Sequence, residues 1–260
     1  MEGTTDVLRA DVLLVTAVAS EETALKSVAL ASGLRWDRRK GAAATYYHIG
    51  ELRGRRVAAL RLKSMGSFSA TGSAFTCHRA MVESEATTIL AVGIAFGISE
   101  EWQMVGDMLI AESLHLYDEA DVIDDAETGY RYVYGPKATV PASAEWVERF
   151  RTAATTGAET PSGVARHHVG KMLAGGARIE SRAFRELLRR RVEVDGTVVV
   201  GGEMEAAGIA AACSAAGADW AVVKAVADFA TSESRATISE TRDLAANTAA
   251  LFTLKTLAAS

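Results

Sequence analysis

The stretch Val12-Leu13-Leu14-Val15-Thr16-Ala17-Val18-Ala19-Ser20-Glu21-Glu22 sets the fold class. Val12 to Val18 is a short apolar run rich in Val and Leu, which reads as a buried strand. Ser20, Glu21 and Glu22 read as the cap and acidic first turn of a helix, where carboxylates meet the positive end of the helix dipole. Strand, tight loop and helix in that order predict an α/β unit.

Working outward, Thr45 to Gly50 and Arg55 to Leu62 read as two strands joined by a turn at Arg53 and Gly54. Ala70 to Ser84 predicts a helix, Thr87 to Val92 a strand, Gly93 to Gly97 a glycine-spaced loop and Val105 to Leu116 another strand. Tyr117 to Pro141 carries acids, tyrosines, Gly135 and Pro136 without periodicity and reads as a long functional loop. The second half repeats the alternation. Helices are expected at Ala142 to Thr155, Ser181 to Arg190, Glu203 to Ala216 and Ile238 to Leu257, and strands at Val164 to Leu173, Thr197 to Val200 and Trp220 to Val226. Parallel strands need a helix-length return, so this alternation predicts a mixed, mainly parallel sheet flanked by helices on both faces. No linker or repeat divides residues 1–260, which are assigned to one domain.

Composition narrows the function. Lys and Arg number 28 against 33 Asp and Glu, a net charge of −5, and no basic patch is visible, so a nucleic-acid partner is not expected. Hydrophobic residues make up 49%, enough for a packed core and too much for a disordered chain. The polar, acidic start MEGTTDVLRA does not resemble a signal peptide and no apolar run is long enough for a membrane span, so a cytoplasmic location without a membrane partner is expected. Cys77 and Cys213, far apart in Ala-rich surroundings, read as core residues. His48, His78 and His115 lack metal-ligand spacing, and no metal or cofactor is implied.

In open α/β sheets a ligand sits beyond the carboxyl ends of the strands. That rule selects Thr16 to Glu22, Lys63 to Ser67, Gly93 to Gly97, Gly175 to Ile179, Gly201 to Glu205 and Ala227 to Phe229. Among them, Gly201-Gly202-Glu203-Met204-Glu205 places two acids at the start of a small-residue helix, either as an acidic first turn or as functional carboxylates. Two residues apart on a helix, Glu203 and Glu205 are expected to point to different faces. Asp228 follows an apolar strand directly, where partial burial would let it hold a proton near neutral pH. Glu21 is the third candidate acid. Arg166, His167, His168 and Lys171 share one predicted strand and offer donors to a phosphorylated substrate, or simply face solvent.

The segments TAVASEETAL (16–25), VGIAFGI (92–98), VGDMLIAES (105–113), GKMLAGGARIES (170–181), GGEMEAAG (201–208) and WAVVKAVADFA (220–230) occur in the order seen in the purine nucleoside phosphorylase superfamily. Nearly the whole chain resembles that family, and within it the methylthioadenosine/S-adenosylhomocysteine nucleosidases. GIAFGI, GGEMEAAG and the W-x-x-V-K stretch are more similar still to phosphorylase-like effector domains of bacterial defence proteins. The resemblance implies a phosphorylase-like domain that cleaves the N-glycosidic bond of an adenine nucleoside or nucleotide, ATP included, and releases free adenine. It assigns Asp228 to purine N7 protonation, Glu205 to both ribose hydroxyls with Met204 packed on the sugar, and Glu21 to the attacking water. Ala177, Arg178 and Ile179 match the segment lining the base, Glu203 supports the helix entrance, and Ile94, Ala95, Phe96 and His168 complete the expected substrate contacts. Ala227 stands where the nucleosidases carry Ser, and Arg178 where an aromatic ring often stacks. A homodimer or higher homo-oligomer, and a regulatory partner of defence type, are further implications.

Water and phosphate are alternative nucleophiles. The stretch Thr16 to Glu22 has no Arg, and Lys63 to Gly66 offers one cation, which points to water. A phosphate-dependent phosphorylase is the second reading, and a non-catalytic nucleoside-sensing module, motivated by Ala227, is the third.

Overall fold

A computed structural model describes residues 9–155, 159–160, 163–193 and 196–259, so the polar segment at residues 1–8 lies outside it. The first unit is as expected: β1 (Val12–Thr16), buried throughout, leads into α1 (Ala19–Ala31). Then come β2 (Asp37–Lys40), β3 (Thr45–Leu52), β4 (Arg55–Arg61), α2 (Ser73–Ser84), β5 (Thr88–Gly97) and β6 (Met108–Leu116). An exposed hairpin, β7 (Asp121–Asp125) and β8 (Gly129–Val133), precedes β9 (Thr139–Pro141) and α3 (Ala144–Thr155). The chain closes with β10 (Glu159–Thr160), β11 (Gly163–Val164), β12 (His167–Ala174), α4 (Arg182–Val192), β13 (Val199–Glu203), α5 (Ala206–Ala216), β14 (Asp219–Asp228) and α6 (Ser234–Ala259).

The main sheet runs β13-β12-β6-β14-β5-β1-β4-β3-β2. β1 lies parallel between β4 and β5, β14 runs parallel to β5, and β12 runs parallel to β6 and β13. β6 meets β14 antiparallel, and β2 and β3 form an antiparallel edge on β4, which makes the sheet mixed. Successive residues of β1 serve opposite faces. Leu13 and Val15 join a core with Cys77 and Met81 of α2 and Ile209 of α5, whereas Val12 and Leu14 join one with Leu25 of α1, Phe150 of α3 and Phe252 of α6. Both faces are therefore covered, which is why the strand reads as continuously apolar. Cys77 and Cys213 are free buried thiols, as core residues should be.

The sheet also curls until β13 pairs antiparallel with the end of β5, Gly201 opposite Gly97 and Gly202 opposite Phe96. Only glycine permits this contact. A Cβ on Gly201 would lie 2.5 Å from the Phe96 carbonyl oxygen, and one on Gly202 2.2 Å from the Phe96 ring.

Four local expectations change. Gly93 to Gly97 is not a loop but the last part of β5, because its glycines make room for neighbours rather than for turns. Tyr117 to Pro141 contains β7, β8, a 3-10 turn and β9. β2 was not expected: its residues Asp-Arg-Arg-Lys are all exposed and carry no apolar signal. The small-residue helix starts at Ala206 rather than Glu203, so Glu203 ends a strand and Glu205 sits at the helix N-cap.

Candidate functional site

Glu21 lies in the first turn of α1, yet it is 2% exposed. Its carboxylate is held by three backbone N–H groups. Ala17 and Val18 donate to Oε2 at 2.5 and 3.0 Å, and Ile94 on β5 donates to Oε1 at 2.8 Å. Glu21 thus ties the β1–α1 turn to the neighbouring strand. The approach depends on Gly93, where a Cβ would stand 2.0 Å from Glu21 Oε1. Burial pushes the Glu21 carboxyl above its ordinary value, against the pull of Lys224 and the three N–H bonds.

Glu203 and Glu205 do not diverge as they would on a helix; both are buried and both reach Lys224. Lys224 Nζ on β14 lies 3.3 Å from Glu205 Oε2 and 3.5 Å from Glu203 Oε2. The second Glu205 oxygen accepts from the Gly66 N–H at 3.2 Å, and Ser73 Oγ donates to the Glu205 carbonyl at 2.5 Å. Glu203 caps α5 with its own side chain, accepting from the N–H of Glu205 at 2.9 Å and of Ala206 at 2.9 and 3.0 Å. Burial raises the Glu203 carboxyl to about 7, opposed by Lys224 and reinforced by Glu205. Burial alone would lower the Lys224 ammonium, but Glu205, Glu203 and Glu21 outweigh it and hold the group above its ordinary value. Lys224 was missed as a site residue in the sequence, although a lysine inside an otherwise apolar strand is itself a signal, because a fully buried lysine requires partners.

Asp228 ends β14, just past a register irregularity against β5. Its Oδ1 accepts from the Ala230 N–H at 2.7 Å, and Ala230 takes the left-handed conformation at φ 51°. This backbone bond holds the acid where Ala227 provides no hydroxyl. Burial raises the Asp228 carboxyl above its ordinary value, and the Ala230 N–H, Arg178 and Arg242 oppose the shift.

Glu21, Glu205 and Asp228 line one cavity of about 350 Å³, within the range of small-molecule sites. Lys224 and Glu203 share its wall. The other expected contacts that line it are Met204, Ile94, Ala95, Phe96, Ala177, Arg178 and Ile179. Arg178 is half-exposed and paired with Glu180 at 2.7 Å. His168 is elsewhere: its Nε2 lies 2.9 Å from Asp107 Oδ2 and its ring meets Trp102 edge-on. It sits near the amino end of β12, while the carboxyl end of that strand leads to Ala177 and the cavity. His167 packs against Phe252 on the opposite face, so these histidines do not form a donor cluster at the cavity. Among the described residues no group of His, Cys, Asp and Glu is arranged to hold a metal ion, and no helix is long and apolar enough to cross a membrane.

This arrangement can stabilise a cation with carboxylates and deliver a proton from a buried acid at the same cavity. The family model of the phosphorylase superfamily matches residues 11–258. A 5'-methylthioadenosine/S-adenosylhomocysteine nucleosidase from Neisseria meningitidis, in complex with methylthio-immucillin-A, is similar at TM-score 0.74 and 21% identity, over 96% of this chain and 99% of that one. The Helicobacter pylori nucleosidase of the same name matches at 0.76 and 16%, over 97% and 99%, and the futalosine hydrolase of that organism at 0.73 and 17%, over 96% and 97%. No curated protein sequence matches this chain.

Proposed function

The chain belongs to the phosphorylase superfamily, and we propose that within it this protein is a purine nucleosidase that hydrolyses the N-glycosidic bond of an adenine nucleoside. The observation that carries the reading is the convergence of Glu21, Glu205 and Asp228, from three distant parts of the sequence, on one cavity. Asp228, whose carboxyl burial raises above its ordinary value, donates a proton to purine N7 so that the base leaves neutral. The carboxylate of Glu205, fixed by Lys224 and the Gly66 N–H, holds the ribose hydroxyls, with Met204 against the sugar. Glu21, anchored by three N–H groups, orients the attacking water on the other side of the ring and offsets the positive charge that develops there. Ala177 to Ile179 and Phe96 enclose the base.

Water is favoured over phosphate because Lys224, the buried cation of the site, is already engaged by two carboxylates. The same electrostatics favour a nucleoside over ATP. Among the described lining residues, Glu21, Glu180, Glu203 and Glu205 stand against Arg178, Lys224 and Arg242, leaving no cationic surplus for a triphosphate. A second copy of the chain is proposed to cover the mouth. Met65 there is 50% exposed, and Phe68 and Phe75, close by in sequence, are 72% and 57% exposed.

The test is a substrate panel. Methylthioadenosine, adenosine, AMP and ATP are incubated with the protein in phosphate-free buffer and free adenine is measured by chromatography. Release from the nucleosides ahead of ATP is expected; no release from any purine substrate would refute the reading. Light scattering at the assay concentration reads the oligomeric state, with a mass of twice the chain or more expected.

A further inference from the structure

Arg185 on α4 heads the fully buried side chains, yet it does not line the cavity. Burying a guanidinium is costly, and an apolar residue of similar volume often stabilises a fold as well or better, so a buried arginine calls for a reason other than stability. Its contacts supply one. Nη1 donates to the Phe229 carbonyl at 2.5 Å, while Nη2 lies 3.1 Å from Glu186 Oε1 and 3.4 Å from Glu100 Oε2. Glu100 is itself clamped by Arg182 at 2.6 and 2.9 Å. Burial pulls the Glu100 carboxyl up, but Arg182 and Arg185 outweigh it and hold it below its ordinary value, so it is a fixed anion.

The Phe229 carbonyl and the Ala230 N–H belong to one peptide group. Arg185 grips the oxygen of that peptide, and the N–H on its other side binds Asp228 Oδ1 at 2.7 Å. The peptide precedes a residue in the left-handed region, a conformation that an alanine adopts only at a cost and that the surroundings must impose. We infer that Arg185 is the positioning residue for Asp228, acting through the Phe229–Ala230 peptide to aim the acid at the leaving base. A charged donor on the carbonyl also polarises the peptide, which strengthens the N–H bond on its far side. The other charged groups facing Asp228 are Arg178 and Glu180 from the segment after β12 and Arg242 from α6. None of these grips the peptide itself in the contacts described, and each acts on the carboxyl through space. The inference rests on the assignment of Asp228 as the acid of a nucleosidase.

The test pairs Arg185→Met with Asp228→Asn. In the wild-type background Arg185→Met is expected to lower kcat by about tenfold or more while KM stays within about threefold, because the groups that contact substrate are untouched. In the Asp228→Asn background it is expected to lower kcat no further, since its effect passes through the acid. A general structural role would depress both backgrounds alike, and that result, or an unchanged kcat in folded Arg185→Met, would overturn the inference. Should Arg185→Met fail to fold, Glu100→Gln loosens the outer end of Arg185 without emptying the core; a smaller fall in kcat that is likewise absent beside Asp228→Asn is expected, and no fall overturns it. A readout independent of turnover separates this claim from the nucleosidase reading. The carboxyl carbon of Asp228, assigned by its loss in Asp228→Asn, is titrated by NMR. With Arg185 removed its midpoint should rise, because the N–H that favours the carboxylate is released; an unchanged or lowered midpoint refutes the inference even if the wild-type protein proves to have no nucleosidase activity.

Discussion

Replacing Lys224 by Met is the most informative test of how the site is held. Met is close to Lys in volume and apolar, so the change leaves little cavity and isolates the charge. The ammonium lies 3.3 Å from Glu205 and 3.5 Å from Glu203, and also acts on Glu21. All three carboxyls are buried. Removing one member of a buried ion pair leaves an uncompensated charge and typically costs about 3–5 kcal/mol. The cost should depend on pH, and its sign follows from the folded-state shifts. Burial already raises Glu21, and raises Glu203 to about 7. A carboxyl whose folded value lies above its unfolded one lends its full stabilising share below the unfolded value of about 4.3 and loses it as pH rises through the folded value. Without Lys224, Glu21 and Glu203 shift further up, so the deficit of the variant against wild type should be small near pH 5 and reach the range above near pH 8. Urea unfolding at the two pH values measures it. A deficit below about 1 kcal/mol at pH 8, or one that does not change with pH, would refute the claim that one lysine compensates these carboxylates.

Three other outcomes follow from the geometry. Gly93→Ala puts a Cβ 2.0 Å from Glu21 Oε1, so the carboxylate must leave its N–H partners; a loss of about 1–3 kcal/mol in urea unfolding is expected together with loss of turnover. Because Asp228 must carry a proton and burial raises its carboxyl, kcat should fall as pH rises through that raised value, a limb visible in a pH–rate profile and absent from Asp228→Asn. Glu205→Gln retains a hydrogen-bonding group but gives up the charge beside the sugar, so kcat should drop more than KM rises in steady-state assays with the best substrate of the panel.

The fold was legible wherever burial imposes a pattern. Val12 to Thr16 and Trp220 to Val226 are covered on both faces and read as continuous apolar runs, and the helices between them follow from length alone. β2 and the β7–β8 hairpin are exposed ribbons whose residues answer to solvent, and no periodicity marks them. Gly93 and Gly97 read as loop residues when they are in fact points of close approach, as Gly201 and Gly202 also are; a sequence shows that a side chain is missing, not which neighbour takes its place. The same holds for the acids. Glu21, Glu205 and Asp228 were identifiable by type and by position at strand ends. Lys224, which Glu21 and Glu205 share as a partner with Glu203, was hidden inside a strand, and the convergence of Glu203 with Glu205 depends on the helix starting at Ala206, three residues later than expected. His168 shows the converse: a strand of polar residues near the family motifs turned out to serve Asp107 and Trp102 at the far end of β12.

The most direct measurement is adenine release by wild type and Asp228→Asn in paired reactions, without phosphate and with phosphate in excess. Wild type should release adenine at the same rate in both, with the substrate's free sugar rather than its 1-phosphate as co-product, and Asp228→Asn should be slower by about 10²–10⁴-fold while remaining folded. Release that requires phosphate, or release that persists undiminished in Asp228→Asn, would contradict the account.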